Sequence, residues 1–118
     1  MLRSLHCAGV SLAVVSSNSE ENIRIVLGPE LCGLIGTFNC GASMFGKASK
    51  FRKVLKRLGA KSGETISIGD EIRDLDAARE VGLATGVVCW GYTAPDALRA
   101  QKPDHVFEAM AEIGGRLV

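Results

Sequence analysis

"TISIGDEIRDLDAAREVGLATGVVCWGY", residues 65–92, carries two apolar runs joined by one amphipathic segment. "TISIG" is rich in β-branched residues and closes on a glycine, as a short buried strand does. "EIRDLDAAREVG" reads as a helix and "ATGVVCWG" as the next strand. Strand, helix and strand in this order make a βαβ unit, the building block of a parallel sheet. Asp70 directly follows the first strand and Asp74 lies one helical turn later, so both carboxylates can face one side. In parallel sheets ligands collect at the carboxyl ends of strands. That rule makes the acids a candidate site and asks what else the chain brings to it.

The alternation continues outward. "LRSLHCAG" reads as a helix that stops at Gly9, and "SLAVVS" as a buried strand. "SEENIRIVLG" opens with Ser19 as its N-cap and acids in its first turn, followed by Ile23, Val26 and Leu27 at helical spacing. "IGTFNCG" is a weak strand. "KASKFRKVLKRLG" is an amphipathic helix with Phe51, Val54, Leu55 and Leu58 on one face. After the opening stretch come a helix, "APDALRAQ", a short strand, "DHVF", which includes His105, and a final helix. The expected fold is α/β, a Rossmann-like parallel sheet with helices on both faces, in one domain spanning residues 1–118.

Bulk properties exclude several classes. Apolar residues make up 47% of the chain and charged residues 23%, with a formal charge of +1, so no charge imbalance names a partner. No apolar run approaches the roughly 20 residues that span a bilayer, and the first residues lack a signal-peptide cleavage site. No membrane partner is expected. The four cysteines, Cys7, Cys32, Cys40 and Cys89, have neither zinc-knuckle nor CxxC spacing. Each sits in apolar company as a small hydrophobe, which implies a reducing, cytoplasmic setting. Lys47, Lys50, Arg52, Lys53, Lys56, Arg57 and Lys61 form a basic run. No aromatic residue alternates with it on the exposed face, so nucleic acid is not expected as a partner.

Three polar clusters follow strands. Ser16, Ser17 and Asn18 lie between a strand and a helix, where hydroxyls and amides cradle an anion or simply cap the helix. Lys47 stands at the start of a helix, unfavourable against the macrodipole unless an anion sits beside it. Asp70 and Asp74 offer hard oxygen ligands of the kind Mg²⁺ takes while keeping positions for water and phosphate. The competing reading makes Asp70 a helix cap and pairs Asp74 with Arg73 or a nearby lysine. Trp90 and Tyr92 either line the rim or pack, and Asp76, Arg79 and Glu80 face solvent.

The order of these clusters resembles the haloacid-dehalogenase-like (HAD) phosphohydrolases, in the manner of their phosphoglycolate-phosphatase-like branch. "LAVVS" with Ser16 resembles the family's second motif, with Ser17 as a competing alignment. Lys47 resembles the third, with Lys50 as the alternative, and "IGDEIRD" resembles the fourth. The resemblance implies that Ser16, Ser17, Asn18 and Lys47 bind the phosphate of a phosphorylated small molecule and that Asp70 and Asp74 hold Mg²⁺. It also implies an earlier strand ending in DxD, whose first aspartate attacks phosphorus. Here the first acid is Glu20 and the first aspartate is Asp70, so the attacker and the cap are absent. The expected fold is therefore a HAD-like core missing its central first strand, between "SLAVVS" and "TISIG". Those two strands then pair directly, or a second copy bridges them in a homodimer, or the chain is the carboxyl-terminal part of a longer protein with a missing amino-terminal segment. A phosphatase portion inactive by itself is the leading expectation. A non-catalytic module for phosphate, Mg²⁺ or oligomerisation is the alternative.

Overall fold

The strands are short and the helices carry the bulk of the covering surface. In the computed structural model, which describes residues 2–41, 46–91 and 94–117, the elements follow the alternation read from the sequence. They are α1 (Leu2–Cys7), β1 (Ala13–Val15), α2 (Glu20–Cys32), β2 (Thr37–Asn39), α3 (Gly46–Leu58), β3 (Ile66–Gly69), α4 (Ile72–Val81), β4 (Ala84–Val88), α5 (Pro95–Ala100), β5 (His105–Phe107) and α6 (Met110–Leu117). A short 3₁₀ turn over Ser62–Glu64 leads into β3. No helix among the described residues is long and apolar enough to cross a membrane.

Local signals account for most boundaries. Ser19 caps α2 by accepting the Asn22 N–H at 3.2 Å. Gly82 ends α4 in the left-handed region that favours glycine. One boundary differs from the sequence reading, which ended α2 near Gly28. The helix instead breaks at Gly28, where φ is 80°, and resumes through Pro29 to Cys32. Proline at the first turn of the resumed segment loses no helical hydrogen bond.

Among the described residues all strand pairings are parallel, but they form two sheets. β1 pairs with β2, and separately β3 pairs with β4 and β4 with β5. Direct pairing of "SLAVVS" with "TISIG" is thus not what the fold adopts. Alternation along the strands sends neighbouring side chains to opposite faces. Val87 and Val106 join Ile72, Leu75 and Leu98 under α4 and α5. Val88 and Phe107 join Leu5 and Ile113 under α1 and α6. Helices therefore cover both faces. A third cluster, Ala48, Phe51, Ala77, Ala78 and Leu83, joins α3 to α4, and Val15 of β1 packs on it. The thiols depart from expectation. All four are free of disulfides, none is fully buried, and Cys7 is exposed, so core packing does not explain them.

One polar clip ties β4 to the segment before β5. The Asp104 carboxylate accepts the buried Thr85 N–H at 2.8 Å and its hydroxyl at 3.2 Å, while the Asp104 N–H donates to Thr85 Oγ1 at 3.0 Å. Those bonds from the Thr85 amide and hydroxyl favour the ionised acid and hold it below the ordinary aspartate value. A depressed folded-state pKa contributes stability that is present above the unfolded value and lost as pH falls through the folded one. Asp104→Ala should therefore cost about 1–3 kcal/mol at neutral pH. In urea titrations its deficit against wild type should narrow at acid pH, below the ordinary value of about 3.9. A deficit independent of pH would contradict this.

Candidate functional site

The carboxyl ends of β1, β2 and β3 converge on the head of α3, and two lysines there divide the work. Lys50 is only 6% exposed. Its ammonium donates to the Ser16 carbonyl after β1, at 2.8 Å, and to the Gly41 carbonyl after β2. Burial pushes this ammonium below the ordinary lysine value. Lys47, one turn earlier, forms an ion pair with the Asp74 carboxylate across from it on α4. The cation at a helix start thus has its anion, supplied by the chain itself.

Asp74 is 7% exposed. One of its oxygens takes Lys47 and the other accepts the Glu71 N–H at 3.2 Å, closing the first turn of α4. The cap residue is Glu71 rather than Asp70. Arg73 pairs with Glu71 at 2.7 Å and not with Asp74. Glycines make room for both acids. A Cβ on Gly69 would stand 2.9 Å from the Asp74 Cβ, and one on Gly91 would stand 2.7 Å from the Asp70 Cγ. Real side chains do not approach so closely, so these positions admit only glycine without displacing the carboxylates.

The loop after β1 is organised as a turn into α2. Ser16 Oγ accepts the Asn18 N–H at 3.1 Å, and Asn18 Oδ1 accepts from Ser19 N–H at 2.9 Å and from the Asn22 side chain at 3.1 Å. The capping alternative accounts for the Asn18 oxygen, while the Ser16 hydroxyl keeps its proton to donate. Ser17 is exposed. It lines, with Lys47, Lys50, Gly41 and Arg73, a cleft of about 380 Å³ beside the strand ends. Ser16, Asn18, Asp70 and Asp74 lie outside that cleft's lining. The predicted residues therefore form two adjoining groups, bridged by Lys47, and not one enclosed cavity. Trp90 is 46% exposed, so core packing is not its role; Tyr92 lies outside the described residues. Arg79 does not simply face solvent, since it donates to the Lys102 carbonyl at 3.1 Å beyond α5.

The donor set suits a hard ion with open positions. Asp70 and Asp74 supply carboxylate oxygens one turn apart, and the contacts of Asp74 use two of roughly four lone-pair positions. No group of three histidine, cysteine or acidic side chains converges among the described residues. Two hard carboxylate oxygens match the chemistry of Mg²⁺, which takes one or two protein carboxylates, better than that of an ion that demands a protein cage.

Residues 1–88 match the family described as haloacid dehalogenase-like hydrolase. The chain belongs to this family. It is 31% identical over 114 residues to a phosphoglycolate phosphatase of Synechococcus elongatus, covering 96% of this chain and 54% of the relative. It is 28% identical over 118 residues to the pyrophosphatase PpaX of Halalkalibacterium halodurans, covering 95% and 54%. A haloacid dehalogenase-like hydrolase from Streptococcus pneumoniae superposes with a TM-score of 0.86 at 18% identity, over 99% of this chain and 56% of that one. The HAD chain thus spans about half the length of the curated relatives it matches.

Two substitutions test the local architecture of this HAD chain. Lys50→Met should cost about 1–3 kcal/mol in urea unfolding, because two loop carbonyls lose their shared donor. Gly69→Ala should cost a similar amount, about 1–3 kcal/mol, by overpacking against Asp74. A change below about 0.5 kcal/mol, the range of ordinary surface substitutions, would contradict either assignment.

Proposed function

We propose that the chain is the carboxyl-terminal portion of a Mg²⁺-dependent phosphomonoesterase, of the phosphoglycolate-phosphatase-like kind. In this reading it carries the phosphate and ion half of the site without the attacking group. The observation that supports it most is Lys47, held by Asp74 at the meeting point of three strand ends. A lysine fixed there offers a point charge to a phosphoryl group without first having to be ordered. Ser16 or Ser17 donates a hydroxyl to the same group, and the Asn18 amide lies in the same turn. Asp70 and Asp74 would hold Mg²⁺, which when bound would draw charge from the phosphoryl oxygens.

The chain's residues then bind and orient, but they do not attack. Covalent phosphoryl transfer needs an activated nucleophile, and no aspartate precedes Asp70. Glu71 is a poor base for a water, since its carboxylate is engaged by Arg73. That lack of an early acid is also the observation favouring the second reading, a non-catalytic module that binds phosphate and Mg²⁺ or assembles with a partner. All four thiols being free supports a cytoplasmic setting.

The purified chain should show no Mg²⁺-dependent hydrolysis of an aryl phosphate above an Asp70→Asn control. It should nevertheless bind inorganic phosphate, measured by calorimetry, and Lys47→Met should weaken that binding about tenfold. Turnover abolished by Asp70→Asn would overturn the inactive half-site. Phosphate affinity unchanged by Lys47→Met would overturn the role of the lysine.

A further inference from the structure

The turn that follows β4 stands directly against Asp70. A Cβ on Gly91 would lie 2.5 Å from Asp70 Oδ2 and 2.7 Å from its Cγ, so the bare backbone of the turn is the surface on which this carboxylate rests. Glycine brings no flexible side chain that could absorb a shift of the turn. Trp90, in the same turn, is exposed and does not anchor it in the core. The placement of Gly91 is therefore inherited from Cys89, where the turn leaves the strand.

Two contacts act on Cys89. Its N–H donates to the Phe107 carbonyl at 3.0 Å, which carries the β4–β5 ladder one residue past β4. Its sulfur meets Arg99 of α5, whose Nη2 lies 3.8 Å from Sγ and 2.7 Å from Glu108 Oε1. Sulfur is a weak acceptor, but the guanidinium does not depend on it for its place. Glu108, just beyond β5, holds Arg99 from one side, and Asp96 stands 3.9 Å away on the same helix. The Glu108 N–H in turn donates to Glu112 Oε2 of α6 at 3.0 Å. Arg99 thus straps the residue after β4 to the residue after β5. It is half-exposed, as is Glu108, and exposed ion pairs contribute little to stability. The strap sets position more than it sets stability.

We infer that Arg99 is a positioning residue for Asp70, acting through the Cys89–Gly91 turn. Without the guanidinium the turn keeps only its ladder bond at Cys89, Gly91 moves off the carboxylate, and Asp70 gains room to rotate. Asp74 is not under the same control, because Lys47 and the Glu71 N–H hold its two oxygens from α3 and from its own helix. The two acids of the candidate site are therefore fixed by different parts of the chain, Asp74 locally and Asp70 from across the sheet. The consequence for ion binding rests on the reading of Asp70 as a Mg²⁺ ligand. Partners behind a ligand matter there because they orient it, and their loss weakens metal affinity about tenfold or more.

The test reads Asp70 itself before any ion is added. The whole chain is labelled with ¹³C at the carboxyl carbons of its five aspartates, and Asp70→Asn assigns the Asp70 resonance. In ion-free buffer Arg99→Ala should shift that resonance and leave those of Asp74 and Asp104 in place, with the urea midpoint unchanged. Gly91→Ala, which places a methyl against the carboxylate, should shift the same resonance. On titration with Mg²⁺, followed by calorimetry, Arg99→Ala should bind about tenfold more weakly than the wild-type chain. An Asp70 resonance unmoved by Arg99→Ala would overturn the inference. So would one that moves together with those of Asp74 and Asp104, the sign of a general loosening. A wild-type chain that binds no Mg²⁺ would overturn the ion half of the proposed function, while the resonances in ion-free buffer would still decide the role of Arg99.

Discussion

The head of α3 is where this structure is held together. Lys50 and Lys47 stand one turn apart and reach in different directions, the first to carbonyls after β1 and β2, the second to Asp74 after β3. Among the described residues no backbone ladder joins the two sheets, so these side chains and the hydrophobic clusters shared by both sheets do what strand pairing does elsewhere. A buried ammonium carries a desolvation cost, and Lys50 offsets it with backbone carbonyls whose positions it then dictates. Asp74 is likewise held on both oxygens. The result is a set of strand ends in defined positions despite a gap in the sheet.

The same arrangement explains why the polar residues gather where they do. An α/β fold places loops after strands at one edge, and helix amino ends meet them there. The gap lies in the middle of that edge, between the loop bearing Ser16 and the one bearing Asp70. The surface of α2 is a separate matter: Ile25 and Val26 are 71% and 83% exposed, and no residue of that helix is fully buried.

Much of this was legible in the sequence because it rests on local rules. The alternation of strands and helices follows from periodicity, the start of α2 from Ser19, and the position of Asp70 and Asp74 from a strand followed by a helical turn. Lys47 was legible as a cation needing an anion, and the competing reading that paired Asp74 with a nearby lysine supplies it. The roles that were not legible depend on distant parts of the chain. Nothing around Lys50 marks it as the residue that turns inward to two loops, because its neighbours in the basic run are charged too. Gly69 and Gly91 look like ordinary strand ends until the carboxylates packed against them are seen. The thiols misled for a related reason, since apolar neighbours in sequence do not guarantee burial in space. Whether the two inner strands would pair was likewise undecidable from pattern, because it turns on how α3 and α4 span the gap.

The account's central claim is that the Lys47–Asp74 pair is a built-in strut of the site and not an incidental surface contact. A double-mutant cycle with Lys47→Met, Asp74→Asn and the combined variant, read by urea unfolding, measures that coupling directly. The account predicts a coupling energy of about 1–3 kcal/mol. A value near zero, within the few tenths of a kcal/mol typical of exposed ion pairs, would contradict it.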